Sequence, residues 1–244
     1  MRLGIKASKN FLRQQRFVND VSHELRTPLT IIRGYVELLE TCGADDPELF
    51  KEAVSSIKKS TQNMQNLVEG LLFLARADQG HQPLAMVPVD LDELLKKFVE
   101  DYRSPRVQLT KLMPCKILAD AEFIKKMFAA FLDNALRYSP PDSSVKVELT
   151  AGEDVATLKF IDKGVGIPKE DYEKIFDRFY RADKARTRLD DEESSVGLGL
   201  SVAKWIADRH DIVIKVKSRL GEGTTFTLTI PTIQIKSQEP IFRI

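Results

Sequence analysis

Cysteine is nearly absent: Cys42 and Cys115 are the two in 244 residues. They lie far apart and give no metal-ligand spacing, so neither a zinc site nor a disulfide framework is implied. A reduced compartment is expected. No apolar run approaches the ~18 residues that a membrane span needs, and no signal-peptide pattern opens the chain. Charge of one sign is lacking too. With 37 basic and 36 acidic side chains the net charge is +1, so no global field draws the chain to nucleic acid or an anionic membrane. The reading is a soluble, cytoplasmic piece, with any membrane attachment carried by segments absent from this chain. There is no internal repeat. What the chain does have is 43% hydrophobic residues, enough for a real core, and 30% charged residues, which suits long solvated helices. The length allows one large domain or two small ones.

Residues 5–78 contain only Pro28 and Pro47. Apolar side chains recur at Phe17, Val21, Leu25, Leu29, Ile32, Val36 and Leu39, the three-and-four spacing of one helical stripe. The pattern stops at Gly43, which suits a helix C-terminus, and Asp46-Pro47 suits an N-cap and first helical position. A second stripe follows at Phe50, Val54, Ile57, Met64, Leu67, Leu71 and Leu74. Residues 1–79 therefore read as a helical hairpin. Two helices bury little alone, and pairing two hairpins into a four-helix bundle satisfies both stripes, so a homodimer is expected.

Gln79-Gly80-His81-Gln82-Pro83 breaks the pattern, and 80–89 reads as a linker. Beyond it the spacing predicts helices at 91–102, 121–138, 169–175 and 200–209. Strands are expected at 107–112, 116–118, 144–150, 155–161, 212–218 and 224–230. Helices and strands are mixed rather than alternating, so 90–232 reads as an α+β sandwich and not a Rossmann sheet. The tail, 233–244, carries no signal.

Three stretches of this second domain point to one ligand. Asp162-Lys163-Gly164-Val165-Gly166 follows a strand directly. A carboxylate at a strand end accepts from an exocyclic amine, and the glycines let backbone approach a flat ligand. Val196-Gly197-Leu198-Gly199-Leu200-Ser201 leads into a helix, and a glycine-rich entry with free helix N–H groups suits phosphate. Phe131-Leu132-Asp133-Asn134-Ala135-Leu136-Arg137-Tyr138 lies on a helix. There Asn134 offers a neutral oxygen to a hard cation such as Mg²⁺, Arg137 suits phosphate, and Tyr138 suits a ring. The polar run 181–195 between the glycine motifs reads as a lid.

In the first helix stands His23-Glu24, with Thr27 and Pro28 one turn on. A neutral imidazole is a nucleophile near physiological pH. Glu24 can hold one ring nitrogen and take the proton as the other attacks. Pro28 removes its own bond to the Glu24 carbonyl and loosens the helix there. Thr27 shares the face of His23 and can position a water beside it.

Together these residues resemble a sensor histidine kinase of two-component signalling. His-Glu-Leu-Arg-Thr-Pro-Leu, 23–29, resembles the phosphoacceptor H box, and 133–138 the N box. Residues 162–166 and 197–200 resemble the two G boxes, 176–181 the F box, and 223–226 the closing strand. The resemblance runs from Phe17 to Pro231, with the motifs in order. It implies a dimeric phosphoacceptor hairpin followed by an ATP-binding domain of the Bergerat type. Asp162, with Gly164, Gly166 and Thr224, would receive adenine. Asn134 would hold Mg²⁺, and Arg137, Arg181 and the helix start at Gly197, Leu198, Gly199 and Leu200 would face the phosphates. The γ-phosphoryl of ATP would pass to His23 and then to an aspartate of a response regulator receiver domain. Thr27 would orient water for dephosphorylating that regulator.

Three departures stand out. The family's N box has a second Asn one turn before Asn134, where this chain has Ala130; the Asn after Asp162 is Lys163; and Ser194-Ser195-Val196 stands where glycines are usual. Ala130 and Lys163 support a second reading, a kinase-weak, phosphatase-biased signalling module. A third reading, an ATP-driven clamp, needs a water-activating glutamate at position 130 and gives the hairpin no role.

Overall fold

The computed structural model describes residues 2–42, 46–180 and 197–233, without the side chains of 2–17 and 42. Expectations placed on Gly43, on Arg181 and the 181–195 run, on 194–196 and on the tail beyond 233 lie outside the described residues.

Helix α1 spans Arg2–Cys42 and runs through Pro28 without ending. Helix α2 spans Pro47–Asp78. Its start is built as the sequence suggests: Asp46 Oδ1 accepts the N–H groups of Glu48 (3.0 Å) and Leu49 (3.2 Å), with Pro47 in the first turn. Such a cap satisfies donors that the helix cannot. Tyr35 of α1 donates to Glu52 of α2 (3.1 Å). Along α2, Ala53, Leu67, Leu74 and Ala77 are buried, whereas Leu29 and Val36 of α1 and Phe50, Val54 and Leu72 of α2 stay exposed.

Strand β1, Val87–Asp90, leads into α3, Leu91–Tyr102. Then come β2 (Val107–Leu112), β3 (Lys116–Ala119), α4 (Ala121–Tyr138), β4 (Val145–Ala151) and β5 (Val155–Ile161). Two single 3₁₀ turns, Lys169–Asp171 and Lys174–Phe176, precede α5 (Gly199–Arg209), β6 (Val213–Arg219) and β7 (Gly223–Pro231). The main sheet has the order β2-β4-β5-β7-β6. Only its β2–β4 pair is parallel. Helices α3, α4 and α5 cover one face. Phe131 stacks on Phe160 (5.4 Å between ring centres) and meets Phe226 (5.0 Å), all fully buried. Each such ring contributes about 1.5–3 kcal/mol by leaving water.

Two expectations change. Residues 87–89 fell in the expected linker but, with Asp90, form a strand, antiparallel to β3 with Val87 opposite Ala119. Its sequence, VPVD, is short and carries a proline, which is tolerated because β1 is an edge. The helix expected at 169–175 is instead the pair of 3₁₀ turns. Tyr172, between them, donates its hydroxyl to Ser218 O (2.7 Å) and accepts from Ser218 N (2.8 Å). That anchorage to β6 outweighs the weak helical preference of so short a segment.

The start of α4 is fixed from two sides. Asp120 caps it, accepting from Glu122 N (3.1 Å) and Phe123 N (3.4 Å). The Asp120 N–H in turn donates to Nε2 of buried His210 (3.1 Å), while His210 Nδ1 donates to Ile206 O (2.8 Å). The C-terminus of α5 is thereby tied to the N-terminus of α4, the two helices that frame the site.

Candidate functional site

Strand β5 ends at Ile161 and delivers Asp162 into the fold, buried beside β7. Its Oδ1 accepts from Gly164 N (2.8 Å) and from Thr224 N (3.1 Å). Both bonds fall on one oxygen, which leaves Oδ2 to a further donor. Burial pushes the carboxyl above its ordinary range, and the two backbone N–H groups oppose that shift. Thr224, also buried, shares a hydrogen bond with Ser218 (Oγ–Oγ1 2.9 Å). Gly164 is required by space: a Cβ there would meet the Tyr138 carbonyl and, at 2.9 Å, Asp162 Oδ1. Gly166 closes the turn at φ +75°, and next to it Val165 O accepts from Gly221 N (2.9 Å).

Tyr138, last residue of α4, joins this turn to a larger space. Its carbonyl accepts from Val165 N (3.1 Å), and Tyr138 lines a cavity of about 480 Å³. Asn134 and Arg137 of α4 line the same cavity, as do Gly197, Leu198, Gly199 and Leu200 at the entry of α5. Among the described residues no side-chain cap bond is made at the Leu198 N-cap of α5, so its first N–H groups suit an anion. Gly197 adopts φ +69°, and a Cβ there would lie 2.9 Å from Phe179 Cα; its carbonyl accepts from Phe179 N (3.0 Å). Nη1 of Arg137 is buried with no hydrogen-bond partner among the described residues. A buried donor without a partner is costly, and here it belongs to a cation on the cavity wall.

The structure thus brings Asn134, Arg137, Tyr138 and 197–200 into one cavity, and places Asp162, Gly164, Gly166 and Thr224 in a cluster attached to it at Tyr138. His23, Glu24 and Thr27 lie elsewhere, on α1. His23 and Thr27 are exposed one turn apart, Glu24 is half-buried, and none lines the cavity.

Sequence reasoning missed one wall. Asn63, Asn66, Glu69, Gly70 and Phe73 of α2 line the cavity. Phe73 packs edge-on against Trp205 of α5 (5.0 Å, 86°) and near Phe123 (5.7 Å). Leu67 and Leu74 bury Leu198 between α2 and the start of α5. Asp78 pairs with Arg178 (2.7 Å). Nothing local in α2 signals this contact, because its partners lie between 50 and about 130 positions away in sequence. Lys126 also lines the cavity and lies over the Phe123 ring (5.4 Å); its helical spacing from Ala130 and Asn134 was the available signal.

Residues 13–80 match the His Kinase A (phospho-acceptor) domain, and residues 119–234 match the histidine kinase-, DNA gyrase B-, and HSP90-like ATPase domain. Sensor histidine kinase YkoH of Bacillus subtilis is 36% identical over 230 residues, covering 93% of this chain and 49% of that protein. Signal transduction histidine-protein kinase ArlS of Staphylococcus epidermidis is 33% identical over 232 residues, 92% of this chain and 50% of that protein. The chain therefore spans about half the length of the curated relatives it matches. Among solved structures, the Acinetobacter baumannii histidine kinase AdeS superposes with a TM-score of 0.62 at 25% identity, over 87% of this chain and 98% of that one.

A helical phosphoacceptor hairpin joined to an ATPase sandwich of the Bergerat type defines the class. The chain belongs to the sensor histidine kinases of two-component signalling and carries their catalytic region. No helix among the described residues is long and apolar enough to cross a membrane.

Proposed function

We propose that this chain binds Mg·ATP in the cavity between α4 and the start of α5, transfers the γ-phosphoryl to His23, and passes it to an aspartate of a response regulator. The observation that carries the reading is Arg137 Nη1, buried with no partner among the described residues, on the same cavity as the start of α5, where Leu198 supplies no side-chain cap. Both are built for an anion. Asp162, at the Tyr138 end, offers its second oxygen to the adenine amine. Tyr138, which lines the cavity, offers its ring to the base.

The residues present fit magnesium in a limited way. No group of three or more His, Cys, Asp or Glu among the described residues is placed to hold a metal. Asn134 therefore supplies one neutral oxygen, as suits an ion held largely by phosphates and water. Bound there, magnesium neutralises phosphate charge during transfer. Arg137 and the α5 N–H groups hold the phosphates, and Glu24 takes the proton from His23 as the other ring nitrogen attacks. Because His23 is exposed and off the cavity wall, transfer requires the ATP-binding domain to leave its seat on α2 and meet an α1 helix.

Ala130 on the cavity wall favours a second reading, a module weak as a kinase and biased to dephosphorylating its regulator through Thr27. Incubation with γ-labelled Mg·ATP separates the two. Acid-labile, base-stable label that disappears in His23→Gln supports the kinase. Absence of label in the parent with strong label in Ala130→Asn supports the second reading. Label that survives His23→Gln overturns His23 as acceptor.

A further inference from the structure

Asp133 and Arg137 stand one turn apart on α4, acid before base. That spacing and order normally give an ion pair. Here the two do not pair. Asp133 Oδ1 instead accepts a hydrogen bond from the hydroxyl of Tyr102, the last residue of α3. Arg137 Nη1 is left buried without a partner among the described residues. Both Asp133 and Arg137 line the cavity. Nor is Arg137 needed at the end of its own helix. Arg106 serves there, donating to the carbonyls of Leu136 (3.1 Å), Ser139 (3.3 Å) and Pro140 (2.7 Å).

We infer that Tyr102 is a positioning residue: by holding the Asp133 carboxylate it keeps Arg137 unpaired and available to a phosphate group of the nucleotide. The inference deepens the Mg·ATP reading and rests on it. An Arg already paired to a carboxylate on its own helix would have to break that pair for each ligand, and the carboxylate would confront the phosphates. The Tyr102 bond removes the first cost and partly offsets the second. The phenol is suited to the task because it does not ionise in the working range. Burial, and next the hydrogen bond to Asp133, raise its pKa well above the ordinary tyrosine value, with the Arg137 cation opposing. Tyr102 therefore remains a donor. Its ring is held independently, 5.7 Å from Phe98, which itself meets Phe128 at 5.5 Å. Removing the hydroxyl alone leaves that packing in place.

The test is a double-variant cycle read by calorimetric titration of the whole chain with Mg·ATP, and with adenosine, which lacks phosphate. In Tyr102→Phe, Mg·ATP affinity is expected to fall about three- to tenfold, the worth of one ordinary hydrogen bond, while adenosine binds as to the parent. Adding Asp133→Asn to Tyr102→Phe is expected to restore Mg·ATP binding to within about twofold of the parent, since an amide forms no ion pair with Arg137. A merely structural Tyr102 would not be rescued in this way. Unchanged Mg·ATP affinity in Tyr102→Phe, an equal loss for adenosine, or no rescue by Asp133→Asn each overturns the inference and leaves the nucleotide reading intact. A parent that binds no Mg·ATP overturns both.

Discussion

Asp162 shows how a single carboxyl reports on both stability and ligand. Its pKa is raised by burial, so the folded state holds the proton more tightly than the unfolded chain. For such an acid, stability falls as the pH climbs from the unfolded value, about 3.9, through the folded one. Above the unfolded value the free protein carries a cost for keeping this carboxyl buried. Asn at this position keeps an oxygen for the Gly164 and Thr224 N–H groups and removes the charge. Without nucleotide, Asp162→Asn should melt at or above the parent at pH 7, and the difference should shrink as the pH is lowered toward 4. With Mg·ATP the parent should gain several degrees and the variant none, because an amide donor then faces the adenine amine. Differential scanning calorimetry at several pH values checks both halves; a variant that melts far below the parent at pH 7 contradicts this account of the burial. Asp162 and the glycines after it were legible as a candidate site because the device is local: strand end, carboxylate, turn. The free state of Arg137 was not. It depends on Tyr102, which reaches Asp133 from another helix, and spacing along α4 alone predicts the opposite, an ion pair.

At the level of elements, legibility followed the strength of the local pattern. Helices α3 and α4 and strands β2 and β5 begin and end where the spacing predicts. Their stripes are long or cleanly alternating, and α4 also carries its Asp120 cap. Strand β1 was lost because four residues with a proline give no period, and only pairing with β3 makes them a strand. Helix α2 holds a larger surprise. It read as one half of a hairpin and turns out also to wall the cavity, through Gly70 and Phe73. A Cβ on Gly70 would come within 3.1 Å of Leu198 Cδ1, so the helix lies directly against the entry of α5. The seat is held largely by Phe73 against Trp205 and Phe123. Phe73→Ala should weaken it by about 1–3 kcal/mol, half-buried ring packing being worth that much. Hydrogen exchange should then quicken in α2 around residues 67–74 and at the start of α5, while the β5–β7 pair stays protected. Faster exchange throughout the sheet would mean that Phe73 supports the domain itself rather than the contact between its parts.

For the whole molecule, the decisive question is what covers the hairpin. Leu29 is 57% exposed and Leu72 53%, and Val36, Phe50 and Val54 are exposed as well. Among the apolar positions of α2 that find partners within the chain, Leu67 and Leu74 pack toward α5. Leu72 points elsewhere. Large apolar side chains left exposed along both helices of the hairpin point to an interface rather than a solvated face. A second copy of the chain presents the same stripe, and two hairpins would close into a four-helix bundle with the stripes inward. Burying each of these side chains contributes about 1.5–3 kcal/mol, so a few per protomer suffice for association at micromolar concentration. Light scattering at that concentration should give twice the chain mass of 27.7 kDa. Val54→Asp with Leu72→Asp should halve the measured mass and leave the melting of the ATP-binding domain unchanged, because neither residue touches its core. A parent that scatters as a monomer would remove the dimer. It would also leave His23 reachable only by the ATP-binding domain of its own chain, which would have to swing off α2 to reach it.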